Sequence, residues 1–499
     1  MGLMTEAKTT ADLYPDGSRR RLQYLCAATL LIGIAAIAGC TQYHSHPLQL
    51  QATLNHYQQR SFLSPPIESY ARRYGGLSPK DFPHRWTLNE LSVVAWHWNP
   101  TIAVLQARFR EQKGIVTQAS LPPNPTIQFR PRYSAKVLGN PWTLGFTFNI
   151  PIETAGKIRD KVRQEQAILA ARGWDILSAA WRIRVSLRAD IINWEYRRRI
   201  ARLKQELAQR EKSLSTLITA RFAGGAIART QLARIRLQDQ RSLIAAEQAL
   251  AQKTIGLDQI AAQLHIPVAR LRQIQVVKAP LRFLPAPKRL KLSENLRLAM
   301  ANRLDVYALI CRYDAAQQNL KYQIAKQYPN IHLGPGYEYN RGTDRYGFGI
   351  GIALPIFNRN QGNIAASVAR RQMLAARLTA LQSRIIGLLE TDTARYRAAY
   401  ARWQLWRSLS LRQADAERLE YARFRHGAVS RVAWLDERLI LITDRIYTAA
   451  ARDQAELALT AIENDLQIPI STDRSLIVRP KPVKVKVRAA YGRKKDGKI

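Results

Sequence analysis

The stretch IHLGPGYEYNRGTDRYGFGIGIALP, residues 331–355, decides how the rest of the chain must be read. Ile331, Leu333, Pro335, Tyr337 and Tyr339 alternate with His332, Gly334, Gly336 and Glu338; after a turn, Tyr346, Phe348, Ile350, Ile352 and Leu354 alternate with Gly347, Gly349, Gly351 and Ala353. Successive side chains of a strand point to opposite faces, so the pattern predicts a hairpin with one aromatic, apolar face and one polar or glycine face. A second such hairpin is predicted upstream. There Ile127, Phe129, Pro131 and Tyr133 oppose Gln128, Arg130 and Arg132, and then Trp142, Leu144, Phe146, Phe148 and Ile150 oppose Thr143, Gly145, Thr147 and Asn149. Each strand is about ten residues, long enough to cross a bilayer when tilted, with one side for lipid and one for a wet lumen. Lipid satisfies no open sheet edge, and closed membrane barrels begin at about eight strands. Four strands per chain are too few, so several copies must pool their hairpins.

The two hairpins belong to an internal duplication. Asn99 matches Asn302, Pro125 matches Pro329 and Pro151 matches Pro355 at offsets of 203 to 204 residues; Arg221, Phe222 and Gly225 match Arg423, Phe424 and Gly427 at 202. Each copy reads helix, strand, strand, long helix, glycine turn, helix. Between Gly156 and Phe222 no proline occurs, and apolar residues recur at three- and four-residue spacing, which predicts one helix on the order of 100 Å long. The second copy repeats it from about Asn363 to Arg425. Alanines 365, 366, 369, 375 and 376 would let a neighbouring helix approach closely. The expected segments are 40–85 as an N-terminal mature region, 86–266 and 291–468 as the two repeats, 267–290 as a proline-marked joint, and 469–499 as a basic, disordered tail.

Residues 1–39 read as an export signal: Arg19 to Arg21, an apolar run from Leu25 to Ile37, then Ala38, Gly39 and Cys40. The small residues before the cysteine resemble a bacterial lipobox, which implies acylation of Cys40; ordinary cleavage leaving a free thiol is the alternative. Thr41 after the cysteine favours, by the same resemblance, passage to the outer membrane. Beyond this segment no run of about 18 apolar residues predicts a spanning helix. Cys26 leaves with the signal and Cys311 stands alone, so no disulfide framework or metal cluster is expected.

Leu354, Pro355, Ile356, Phe357, Asn358, Arg359, Asn360, Gln361 and Gly362 resemble the strand-to-helix junction of the outer-membrane efflux channels of the TolC family, particularly its heavy-metal (cobalt-zinc-cadmium) RND branch. Pro151, Ile152, Glu153, Thr154, Gly156 and Lys157 are similar to the junction of the first repeat. Gln118, Ala119, Leu121, Pro122, Asn124 and Pro125 before the first strand, and Gly427, Ser430, Leu435, Asp436 and Arg438 after the second turn, extend the likeness over residues 86 to 467. The resemblance implies a mainly α chain with a small β part. In it, three copies form a transmembrane β-barrel, four strands per chain and twelve in total, continued by a long periplasmic α-helical barrel. It implies a homotrimer in outer-membrane lipid, working with a periplasmic adaptor (a membrane fusion protein) and an inner-membrane RND pump, without cofactor. The turns at Arg221, Phe222 and Gly225 and at Arg423, Phe424 and Gly427 would be the periplasmic tips that meet the adaptor. Asp436 matches the second aspartate of an acidic pair near the constriction; Ala433 replaces the first and Glu437 stands beside Asp436, so either a gate ring or ordinary surface carboxylates fit.

Other classes have less support. No phosphate-cradling glycine loop, HExxH or nucleophile elbow occurs, so an enzyme is not expected. Histidines 44, 46 and 56 cluster loosely near the mature N-terminus, where the spacing of His44 and His46 alone is a weak metal signal and solvated loop residues are the favoured reading, while His97, His265, His332 and His426 are scattered. The formal charge is +40, from 77 basic and 37 acidic residues. Nucleic acid is not the expected partner, because the arginines spread through all the long helices and only Arg479 to Lys498 form a concentrated run. An acidic periplasm, where paired carboxylates lose value, would explain the excess; the same excess opposes cation export. A drug-efflux or type I secretion outlet, or a basic coiled-coil lipoprotein tethering envelope layers, are the competing readings.

Overall fold

The computed structural model describes residues 43–62, 67, 69, 85–135, 140–276 and 284–470. The export signal with Cys40 and the basic tail lie outside the described residues. The chain divides into two compact units, residues 1–56 and 57–499. The described part of the first, residues 43–56, carries most of helix α1 (Leu50–Gln58), which buries no side chain.

The second unit runs β1 (Arg85–Trp86), α2 (Leu88–Trp98), α3 (Pro100–Ser120), β2 (Thr126–Phe129), β3 (Arg132–Tyr133), β4 (Trp142–Ile152), α4 (Lys157–Ala223), α5 (Arg229–Leu264), α6 (Val268–Leu271) and β5 (Gln275–Val276). After a 3₁₀ turn at Pro287–Arg289 come α7 (Leu292–Asn302), α8 (Leu304–Ala325), β6 (Ile331–Asn340), β7 (Thr343–Ile352), α9 (Gln361–Arg425) and α10 (Arg431–Leu466). The long helix of the first repeat has 67 residues and that of the second 65, so each extends about 100 Å.

The duplication is written into the hydrogen-bond register. Phe129 faces Phe146 and Ile127 faces Phe148 in the first hairpin; shifting both members by 204 gives Leu333 facing Ile350 and Ile331 facing Ile352, which are pairs of the second hairpin. In the helices the offset is 202: buried Ile183, Leu187, Trp194, Ile260 and Leu264 correspond to buried Ile385, Leu389, Tyr396, Ile462 and Leu466. Each set anchors its own core partway along the long helices, joined in the first repeat by Trp86, Leu91 and Ile102 and in the second by Leu284, Ala299 and Val306. Capping is local chemistry: Thr87 and Glu90 form a capping box on α2, and Asn99 caps α3 ahead of Pro100.

Three details depart from the sequence reading. The first strand is interrupted at Pro131, which has no N–H to give, although Arg130 N–H still donates to Gly145 O at 2.7 Å and the register continues through Arg132 facing Thr143. The last strand ends at Ile352, leaving Leu354 outside it. At the joint between repeats, β5 pairs in parallel with β1, an exchange over long sequence separation that no local pattern announces.

Candidate functional site

Four strands' worth of chain make one open sheet in the order β2–β4–β6–β7, with β3 continuing the β2 edge. The two hairpins are joined by β4 and β6, antiparallel, with Leu144 facing Tyr339 and Ile150 facing Leu333. Both outer edges, β2 with β3 on one side and β7 on the other, lack a partner among the described residues. The apolar face is uncovered: Phe129 is 64% exposed, Tyr346 83% and Phe348 65%. An aromatic face of this size is insoluble unless lipid or protein covers it, and bare edges of this length invite further strands.

The other face carries Gln128, Thr147, Asn149, His332 and Glu338 among Gly334, Gly336, Gly347, Gly349 and Gly351. His332 Nδ1 lies 2.9 Å from Asn149 Oδ1, so this single imidazole is held by an amide. Glycine gives the tightest fit at Gly336, where a Cβ would come within 3.2 Å of Phe146 O and of Thr147 Oγ1.

The two junctions turn the chain from sheet to helix by the same left-handed step, at offset 204. Gly156 has φ +71° and Asn360 φ +60°, each immediately before its long helix. Glycine and asparagine are the residues that take this conformation readily. Asn360 Nδ2 donates to Gln323 O at 2.8 Å and Oε1 at 3.0 Å, while its N–H donates to Asn358 Oδ1 at 2.9 Å. The first junction is tied to the start of β6: Thr154 Oγ1 donates to Pro329 O at 2.5 Å, and Lys157 Nζ donates to Tyr328 O at 2.6 Å and to Asn330 Oδ1. Lys157 is 6% exposed, and that desolvation pushes its ammonium pKa down. Pro151 sits opposite His332, one residue before the end of β4. Pro355 and Phe357 lie between β7 and α9, Gly362 is in the first turn of α9, and Phe357 is 94% exposed.

The tips are near copies. Gly225 (φ +77°) and Gly427 (φ +76°) reverse the chain; Ala226 N–H donates to Arg221 O and Ala428 N–H to Arg423 O, both at 2.9 Å. Leu214, Ile218, Leu232 and Leu435 pack the two turns into one cluster. Phe424 stacks on Trp434 with centroids 5.5 Å apart, and Phe222 is exposed. A cavity of about 530 Å³ beside the second tip is lined by Leu419, Arg423, His426 and Glu437.

Asp436 is exposed and comes near Glu211 of α4, which no sequence motif marks. Burial of Glu211 and partial desolvation of Asp436 by the neighbouring helices raise the pKa of both; Glu437 adds to the rise at Asp436, while at Glu211 a hydrogen bond from Gln238 opposes and Asp239 and Asp436 add. Glu437 accepts from Gln413 at 2.6 Å. Next to this group Arg438 bridges Glu206 at 2.5 Å and Glu417 at 3.6 Å, taking up two further carboxylates. Among the described residues, no cluster of histidine, cysteine, aspartate or glutamate is arranged to hold a metal ion, and no helix is long and apolar enough to cross a membrane.

Residues 295–465 match the family described as outer membrane efflux protein. The cobalt-zinc-cadmium resistance protein CzcC of Cupriavidus metallidurans is 23% identical over 330 residues, which are 64% of this chain and 75% of that protein. Among solved structures, the outer membrane protein VceC of Vibrio cholerae superposes with a TM-score of 0.62 at 17% identity, covering 82% of this chain and 100% of that one. CusC, solved in connection with folding and transmembrane channel formation, superposes at 0.59 with 14% identity, covering 86% and 98%.

Proposed function

We propose that this chain, a member of the outer membrane efflux protein family, is the exit duct of a tripartite pump, built from three copies that complete one another's barrel. It is an outer-membrane efflux channel, a transport component of a family that is not one of enzymes. Channels of this family work as trimers with an adaptor and an inner-membrane pump. Carrying the proposal is the open sheet: its bare edges and aromatic face are stable only in lipid and only when a further copy continues the ladder. Exposed alanines 365, 366, 369, 375 and 376 on α9 offer the matching close-packing face on the helices.

The tips around Gly225 and Gly427 are the parts farthest along the helices from the sheet, which suits them for the adaptor. Glu211, Asp436 and Glu437 are the candidate constriction group. Cys40 is proposed as a lipid anchor. The likeness to CzcC favours metal as cargo over organic toxicants. The test is deletion of the chain and survival across metals and organic toxicants, together with planar-bilayer recording of the purified protein. Sensitisation to metals alone and a heat-resistant conducting oligomer are expected. A soluble monomer without conductance refutes the duct and leaves the coiled-coil tether.

A further inference from the structure

The sheet's wet face carries its charge in one band. Arg130 faces Gly145, Gly145 faces Glu338, and Glu338 faces Arg345, so the four positions form one row across all the strands. The adjacent row holds Arg132, Thr143, Asn340 and Thr343. Among the described residues this face thus has three arginines against one glutamate. Asp344 lies on the opposite face, where it accepts from Tyr337 Oη at 2.6 Å. Both rows sit next to the β6–β7 turn, the end of the sheet remote from the long helices. From there toward the helices the face runs through Gly336, Gly347, Gly334, Gly349 and Gly351 beside Gln128, Thr147, Asn149 and His332, with no carboxylate among them to contradict the band. The far end of the molecule has the same sign: Arg221, Arg229, Arg423, Arg425 and Arg431 are all exposed around the tips.

We infer that the outer mouth is an arginine collar that selects for net anionic solutes, so that metal, where it is the cargo, leaves as an oxyanion or an anionic complex rather than a hydrated cation. The inference rests on the channel reading, which puts this face toward the lumen. Each further copy adds the same excess positive charge to the same ring, and rings of arginine or lysine are how pores favour anions. A mouth at a positive potential of about one kT enriches monovalent anions and depletes monovalent cations by about threefold each, so chloride should be favoured over potassium by about sevenfold.

The test is the reversal potential of the purified full-length protein in neutral phosphatidylcholine bilayers under a potassium chloride gradient. The expected sign is that of a chloride-selective pore at about 0.1 M salt, fading toward 1 M as the Debye length falls from about 10 to about 3 Å. Changing Arg130→Glu, Arg132→Glu and Arg345→Glu together should invert the sign. Where that variant does not assemble, the same three positions as glutamine should bring the ratio close to one. A conducting wild-type pore that prefers potassium, or a chloride preference unmoved by the glutamine set, overturns the collar and leaves the duct standing. Inserted oligomers that pass no current overturn the channel reading, and the collar falls with it.

Discussion

Cysteines placed at Tyr133 and Ile350 are expected to lock copies of this chain into a covalent ring. Within one chain, β4 meets β6 with Phe146 facing Tyr337. The repeat offset of 204 carries Phe146 to Ile350 and Tyr337 to Tyr133, and the hairpins obey that offset without slippage. The free β7 edge of one copy should therefore meet the free β2–β3 edge of the next with Ile350 opposite Tyr133, both from the apolar face. Opposed residues of an antiparallel pair have Cα atoms about 4.5 or 5.5 Å apart, inside the range a disulfide spans. Tyr133 and Ile350 are 62% and 64% exposed in the single chain, so replacing them removes little internal packing. With Cys311 changed to alanine, since it is the free buried thiol of the described residues, mild oxidation of Tyr133→Cys, Ile350→Cys in outer membranes should give a closed trimer on non-reducing gels. Each single variant should stay monomeric after boiling. Ile350→Cys with Phe129→Cys, four residues along the partner strand and thus displaced by about 13 Å, should not react. A native trimer in which the first pair keeps its thiols free, or in which the displaced pair reacts faster, refutes the register and the use of the repeat to derive it.

Lys157→Met removes the donor shared by Tyr328 O and Asn330 Oδ1; stranding such acceptors costs about 1–3 kcal/mol, and thermal melting of the detergent-solubilised protein should fall, an unchanged melt refuting a structural role. Asp465 is 2% exposed, and burial with Asp392 nearby, only partly opposed by Arg303, raises its pKa from 3.8 to about 7. A raised carboxyl contributes stability that is full below about pH 3.8 and lost as pH climbs through about 7. Asp465→Asn should flatten the decline in denaturant midpoint between pH 4 and 7, and an unaltered slope would show that the decline has another source.

How much could be read beforehand follows from which forces are local. The strand faces were legible because lipid enforces a period of two on residues such as Phe146, Phe148, Ile350 and Ile352, and the long helices were legible because nothing between Gly156 and Phe222 breaks them. By alternation Pro131 reads as an ordinary outward-facing strand position; its missing N–H, a backbone property, cuts the strand. The pairing of β4 with β6 was invisible because it joins hairpins nearly two hundred residues apart, and β1 with β5 for the same reason. Glu211 carries no motif; it becomes a site candidate only when α10 brings Asp436 beside it. Lys157 did leave a signal. A cation in the first turn of a helix opposes the helix dipole, so it requires acceptors elsewhere, and Tyr328 and Asn330 supply them.

The exposure of the two repeats shows where one copy ends and the next begins. In β6, which has neighbours on both sides, every residue is partly covered; in β7, its hairpin partner with one neighbour, every residue is exposed. The junctions repeat the contrast. Thr154 and Lys157 of the first close onto Tyr328, Pro329 and Asn330 inside the chain. Their counterparts in the second, Asn358 and Gln361, have the chain's own internal hydrogen bonds, while adjacent Ile356 and Phe357 are 63% and 94% exposed. By the same offset, the surface that Asn358 and Gln361 lack is the one around Asn124, Pro125 and Thr126, at the opposite edge of the sheet. A duplicated chain with one satisfied and one unsatisfied junction is a unit that repeats around an axis: the contact made once inside each copy is made again between copies. Substitutions at Lys157 therefore act within every chain, while those at Gln361 act at the boundary between chains and should loosen the oligomer before they loosen the fold.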